Sequence, residues 1–122
     1  MKIFSGRVIR GEHLGRKFGF PTANLSSILI KKHKIPFGIY AVWIILDKKQ
    51  LRGILIAGRT GKINPERVKL EVFIFDWHKS LYNKKITVQI VRKIRPIIRF
   101  KTIAALRQQV KKDIKKTKAI LK

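Results

Sequence analysis

The chain has 122 residues, of which 45% are hydrophobic and none is cysteine, enough for one domain that buries about two-thirds of the surface its unfolded chain exposes. Thirty Lys and Arg stand against six Asp and Glu, a formal net charge of +24, so polyanions from nucleic acid to nucleotide phosphates are attracted non-specifically. The absence of cysteine excludes disulfides, a thiol nucleophile and thiolate metal sites. No apolar run approaches the roughly 18 to 20 residues that span a bilayer, and no signal-peptide core opens the chain, which predicts a cytoplasmic domain without membrane insertion.

Residues 3 to 9 alternate weakly and predict a first strand. Next comes Gly15-Arg16-Lys17-Phe18-Gly19-Phe20-Pro21-Thr22-Ala23-Asn24-Leu25. Two glycines let backbone N–H groups approach an anion, two cations supply charge, and a proline stiffens the loop. Thr22 and Asn24 offer hard oxygen ligands two residues apart. If the segment is extended both point the same way, as a Mg²⁺ that keeps waters and bridges phosphates requires. A surface loop in which Thr and Asn only cap turns is the plainer alternative.

Ile39 to Leu46 and Leu51 to Ala57 are β-branched runs around Asp47-Lys48-Lys49-Gln50 and predict a hairpin. Leu70 to Phe75 and Lys85 to Lys93 predict two more strands, with Asn83 tolerating a positive φ in the turn between them. In the first of these Leu70, Val72 and Ile74 take one face, and Glu71, Phe73 and Phe75 the other. Glu71 therefore shares an apolar face, where it is either an ion-paired structural carboxylate or a proton acceptor held in a site.

Several short strands with turns between them predict a mainly β fold, a closed antiparallel Greek-key barrel of about six strands over about residues 1–100. From Thr102, a plausible N-cap, Ile103, Leu106, Val110, Ile114 and Leu121 form an apolar stripe and predict a C-terminal amphipathic helix of about five turns, about residues 102–121. A single domain spanning 1–122 is expected. The histidines at 13, 33 and 78 lack metal-ligand spacing.

Gly11, Gly15-Arg16, Gly19 to Leu25, Pro36, Gly38-Ile39-Tyr40-Ala41, Leu70-Glu71-Val72, Asp76, Leu81-Tyr82 and Arg95 to Phe100 together resemble the riboflavin kinases, in order and over nearly the whole chain. The resemblance implies a riboflavin-kinase-like barrel that moves the γ-phosphoryl of ATP to the 5′-hydroxyl of riboflavin, giving FMN and ADP. It implies Glu71 as general base, Thr22 and Asn24 as Mg²⁺ ligands, and Gly11, Gly15, Arg16, Lys17, Thr22 and Tyr82 around ATP. Arg95, before Pro96 and Phe100, falls on the flavin side, with Leu106, Gln109 and Asp113 also in matching places; Asp113 reads equally as a carboxylate that offsets lysine charge. Because many bacteria fuse this kinase to an adenylyltransferase that makes FAD, a separate FMN adenylyltransferase is an implied partner.

The chain departs from the family at Ile56-Ala57-Gly58-Arg59-Thr60-Gly61-Lys62 and at Ile97, where an Asn, a Pro-Thr pair and a glutamate are usual. A paralogue that binds flavin or nucleotide without turnover is thus a further reading. So is a basic barrel that binds nucleic acid, with Phe73, Phe75, Trp77 and Tyr82 as stacking surfaces.

Overall fold

The computed structural model describes residues 2–10, 22–59 and 67–122. Its strands are β1 (Lys2–Arg7), β2 (Ala23–Leu25), β3 (Gly38–Leu46), β4 (Lys49–Gly58), β5 (Lys69–Ile74) and β6 (Lys85–Arg95); its helices are α1 (Ile28–Lys32) and α2 (Ile103–Ile120). The strands form one antiparallel sheet in the order β1-β6-β3-β4-β5-β2. Among the described residues its edges meet at one antiparallel bridge between Ile9 and Asn24, where the Ile9 N–H donates to the Asn24 carbonyl at 2.8 Å. The sheet thus curls toward a barrel, its edges joined at this short seam.

The predicted first strand, 3 to 9, ends earlier as a ladder because the chain changes partner. Up to Arg7 it pairs with β6; then the Val8 N–H donates to the Lys84 carbonyl and Ile9 crosses to β2. The β3–β4 hairpin turns tightly at Asp47 and Lys48, whose φ values of 49° and 67° are those of the turn that matches strand twist. Asn83 has a φ of 67°, so the β5–β6 connection keeps a left-handed residue where one was expected. At Gly53 an added Cβ would stand 2.6 Å from the Phe73 carbonyl oxygen, so β4 and β5 approach more closely there than a side chain allows.

Alternation sorts the side chains into two layers. Phe4, Val42, Ile44, Leu55, Leu70, Val72, Ile86 and Val88 fill the barrel. Ile39, Ala41, Ile54, Phe75 and Ile94 pack outside it with Leu121, Ile114 and Ile120 of the terminal helix. Helix α2 lies over β3, β4 and β6, capped by Thr102, whose Oγ1 accepts from the Ala105 N–H at 3.1 Å. Thr102→Ala should cost about 1 kcal/mol, the usual loss for a cap of this kind, read as a lower denaturation midpoint at unchanged slope.

The buried face of α2 differs from the predicted apolar stripe. Ile103 is 44% exposed, while Asp113 and Thr117 lie at the centre of the interface. The carboxylate is accepted there because it is paired: Arg95 Nε lies 2.9 and 3.1 Å from the two Asp113 oxygens, Arg95 NH2 lies 2.7 Å from Oδ2, and Gln109 Nε2 donates to Oδ1 at 3.0 Å. Helix α1 was not foreseen. Its single buried residue is Ile30, too short an amphipathic signal for a periodicity argument. Among the described residues no helix is long and apolar enough to cross a membrane.

Candidate active site

The barrel's register joins residues that the sequence holds far apart. Asn24 on β2 is the direct antiparallel partner of Glu71 on β5, so their Cβ atoms stand about 4.5 to 5.5 Å apart on the same face. The row continues on the barrel's outer face from Glu71 to Ile56 on β4, from Ile56 to Ile39 on β3, a residue buried in the layer beneath the terminal helix, and from Ile39 to Arg95 on β6. Three strand spacings separate Glu71 from Arg95, about 14 Å. Ligand candidate, base candidate and flavin-side candidate therefore stand in one line, with two isoleucines forming an apolar stretch between the last two.

Asn24 also opens onto a cleft of about 610 Å³, lined by Val8, Ile9, Arg10, Thr22, Ala23, Asn24, Val72, Ile74 and the segment 77–82. Thr22 and Asn24 both line it and both are half-buried. Two neutral hard oxygens at a polar cleft mouth, beside a strand bearing a carboxylate, suit a magnesium ion that takes its remaining ligands from water and phosphate. Glu71 is itself half-buried and adjoins the cleft through Asn24 rather than lining it.

Tyr82 is 53% exposed at the cleft rim, with the Arg10 guanidinium carbon 4.8 Å from its ring centroid. This contact orients a flat aromatic surface and a fixed cation toward the same opening. Exposed His78, Lys79 and Ser80 complete that rim, and Trp77 backs it against the barrel core.

Of the residues singled out from sequence, Thr22, Asn24 and Tyr82 line the cleft, Glu71 stands one strand away, and Arg95 lies at the far end of the row in its ion pair with Asp113. Gly11, Gly15, Arg16 and Lys17 lie outside the described residues. Arg10 and Lys79, at the rim, were not singled out from sequence, and His78, set aside there for want of metal-ligand spacing, is an exposed rim residue. Arg10 immediately precedes the glycine-bearing segment, but only the fold shows that it meets Tyr82. Gly58, in the segment that departs from the family, has a φ of 146°, and a Cβ there would stand 2.2 Å from Ile97 Cδ1. The two places of departure are thus in contact with each other.

The chain matches the riboflavin kinase family model, named Flavokinase, over residues 2–121. It is 38% identical over 115 residues to the RNA-binding riboflavin kinase RibR of Bacillus subtilis, covering 93% of this chain and 49% of that protein. It is also 38% identical over 120 residues to the bifunctional riboflavin kinase/FMN adenylyltransferase of Haemophilus influenzae, covering 97% of this chain and 38% of that protein. The chain therefore spans half or less of the length of these relatives. Among solved structures, a macrolide-efflux protein from Streptococcus pneumoniae superposes with a TM-score of 0.82 at 29% identity, covering 95% of this chain and 38% of that one. Riboflavin kinase from Trypanosoma brucei superposes with a TM-score of 0.64 at 19% identity, covering 98% and 78%, a likeness that speaks for the fold alone. On the family match over nearly its whole length, this chain belongs to the riboflavin kinase family.

Proposed function

We propose that this domain phosphorylates riboflavin, transferring the γ-phosphoryl group of ATP to the 5′-hydroxyl to give FMN and ADP. The observation that carries the reading is the register pairing of Asn24 with Glu71. It sets a metal-type oxygen ligand beside a carboxylate, between a nucleotide-sized cleft and the row that ends at Arg95.

Glu71 accepts the proton of the attacking hydroxyl as the new O–P bond forms, and the bond from the γ-phosphorus to the β–γ bridging oxygen breaks to release ADP. Its place among Phe73 and Ile56 on the outer face keeps water from competing for it. Gly11, Gly15, Arg16, Lys17 and Thr22 hold the phosphates, while Tyr82, braced by Arg10, borders the nucleotide. Thr22 and Asn24 would hold Mg²⁺, which when bound neutralises phosphate charge and orients the transferring group. On the flavin side Arg95 acts through the segment it anchors: NH1 donates to the Pro96 carbonyl at 3.0 Å and the guanidinium carbon lies 5.9 Å from the Phe100 ring centroid. Non-specific attraction of polyanions, from the +24 charge, is a second proposed property. A separate FMN adenylyltransferase that takes up the product is the proposed protein partner.

The test is chromatography of riboflavin incubated with the protein, ATP and Mg²⁺. FMN is expected, and chelation of the metal should abolish it. Riboflavin and nucleotide binding without any FMN would reduce the domain to a binding protein. Within the same reading, Thr22→Ala and Asn24→Ala should raise the Mg²⁺ and ATP concentrations needed for half-maximal rate while leaving riboflavin affinity near its starting value. An equal loss of flavin affinity, titrated without nucleotide, would misplace the metal end.

A further inference from the structure

The +24 charge has a structural counterpart that the kinase reading leaves unused. Of the acids among the described residues, Asp113 pairs with Arg95 and Asp47 with Lys84 at 3.1 Å, Glu71 belongs to the site row, and Asp76 lies exposed in the turn after β5. On helix α2 the positions 107, 111, 115 and 118 follow the spacing i, i+4, i+8, i+11. At 3.6 residues per turn these fall within about a quarter of the helix circumference and span about 16 Å. They are Arg107, Lys111, Lys115 and Lys118, all exposed, and exposed Lys122 follows just beyond the helix end. Leu106, Val110, Asp113, Ile114 and Thr117, on the flank that packs against the sheet, are buried or half-buried.

This arrangement works against the helix that carries it. Arg107–Lys111 and Lys111–Lys115 are like-charge pairs at i, i+4, each repulsive where a Glu partner would be attractive. The first turn holds no acidic residue to complement the helix dipole. A face that only had to be solvated would be served by interleaved charges of both signs.

We propose that this stripe is a docking face for the phosphate backbone of a nucleic acid, sequence-independent and separate from the catalytic cleft. It goes further than general polyanion attraction by assigning the contact to one side of one helix. A regular row of cations about 16 Å long, continued by Lys122, fits a continuous polyanion. A lipid surface is disfavoured, because an interfacial helix needs large apolar side chains free to enter the bilayer. Here most of the apolar side is occupied by the sheet, and beside the stripe stand exposed Ala104, Gln108 and Ala119, with Ile103 a lone large apolar side chain at the helix start, too little for insertion. No residue of α2 lines the cleft, so docking leaves the nucleotide entrance open.

The experiment compares two charge-matched triple variants by fluorescence anisotropy with a labelled oligouridylate. One is Lys111→Glu with Lys115→Glu and Lys122→Glu. The other is Lys32→Glu, Lys49→Glu and Lys85→Glu, at exposed positions on α1, β4 and β6. With five phosphates neutralised on a single strand, affinity of the parent should fall about 100-fold between about 50 and 200 mM salt. The helix triple should lower the slope of log affinity against log salt by about 2, and the control triple should change it far less. FMN formation and the thermal midpoint should be unaltered in the helix triple, which separates loss of docking from loss of fold. Equal losses in the two triples would overturn the proposal in favour of diffuse attraction over the whole surface. So would tighter binding to phosphatidylserine-containing vesicles than to the oligonucleotide, lost in the helix triple, which would assign the face to a membrane.

Discussion

Glu71→Gln is expected to lower the rate of FMN formation by roughly 10² to 10⁴, the range usual for removing a general base. The substitution keeps the size of the side chain and its hydrogen-bonding reach but removes its capacity to accept a proton. Because Glu71 sits mid-strand between Asn24 and Ile56, the neutral amide has room in the same register, so the thermal midpoint and ATP affinity should be nearly unchanged. Single-turnover measurements at saturating riboflavin and ATP isolate the chemical step from product release. A variant that turns over at a near-normal rate would make Glu71 a structural side chain, and the base would have to be sought elsewhere on the row.

The second large effect concerns stability. Asp113→Ala should cost about 3 to 5 kcal/mol, because it leaves the Arg95 guanidinium under the helix without its counter-charge. The side chains of the pair are 14% and 5% exposed, too enclosed for water to take the carboxylate's place. Against the about 5 to 15 kcal/mol that holds a typical domain together, such a loss is readily measured by urea denaturation. A cost below about 1 kcal/mol would mean that solvent reaches the guanidinium. The double variant Arg95→Met with Asp113→Leu should recover much of the loss, as paired apolar replacements of buried ion pairs often do. It also tests the flavin side. A folded double variant with weakened riboflavin affinity would support a role for Arg95 toward the ligand, and unchanged affinity would confine Arg95 to holding the helix.

Much of the architecture was legible because the strands alternate and the turns carry residues that accept unusual backbone angles. Glu71, Phe73 and the buried set Leu70, Val72 and Ile74 sorted to opposite faces by parity alone. Parity says nothing of which strand lies next door. Thus Asn24 and Glu71 were each singled out as candidates, yet their pairing emerged only from the register. The helix shows the complementary weakness: counting apolar residues selected Ile103 and passed over Asp113 and Thr117, since a buried carboxylate is favourable only when its partner, 18 residues earlier in the chain, is in place. Arg95, Gln109 and Asp113 were noted for different reasons and prove to be one network. The meeting of Arg10 with Tyr82 across 72 positions carries no local signal at all.

The seam between Ile9 and Asn24 couples mechanical integrity to occupancy. A ring of strands opens first at its weakest link, and among the described residues that link is one bridge, on the residue proposed as a metal ligand. Anything gripping Asn24 from the cleft also restrains the backbone carbonyl that receives the Ile9 N–H. Bound magnesium nucleotide should therefore slow hydrogen exchange at the Ile9 amide more than at amides of the long β3–β4 ladder, which are held with or without ligand. The empty domain would breathe along one line, and the proposed ligand would act as the clasp.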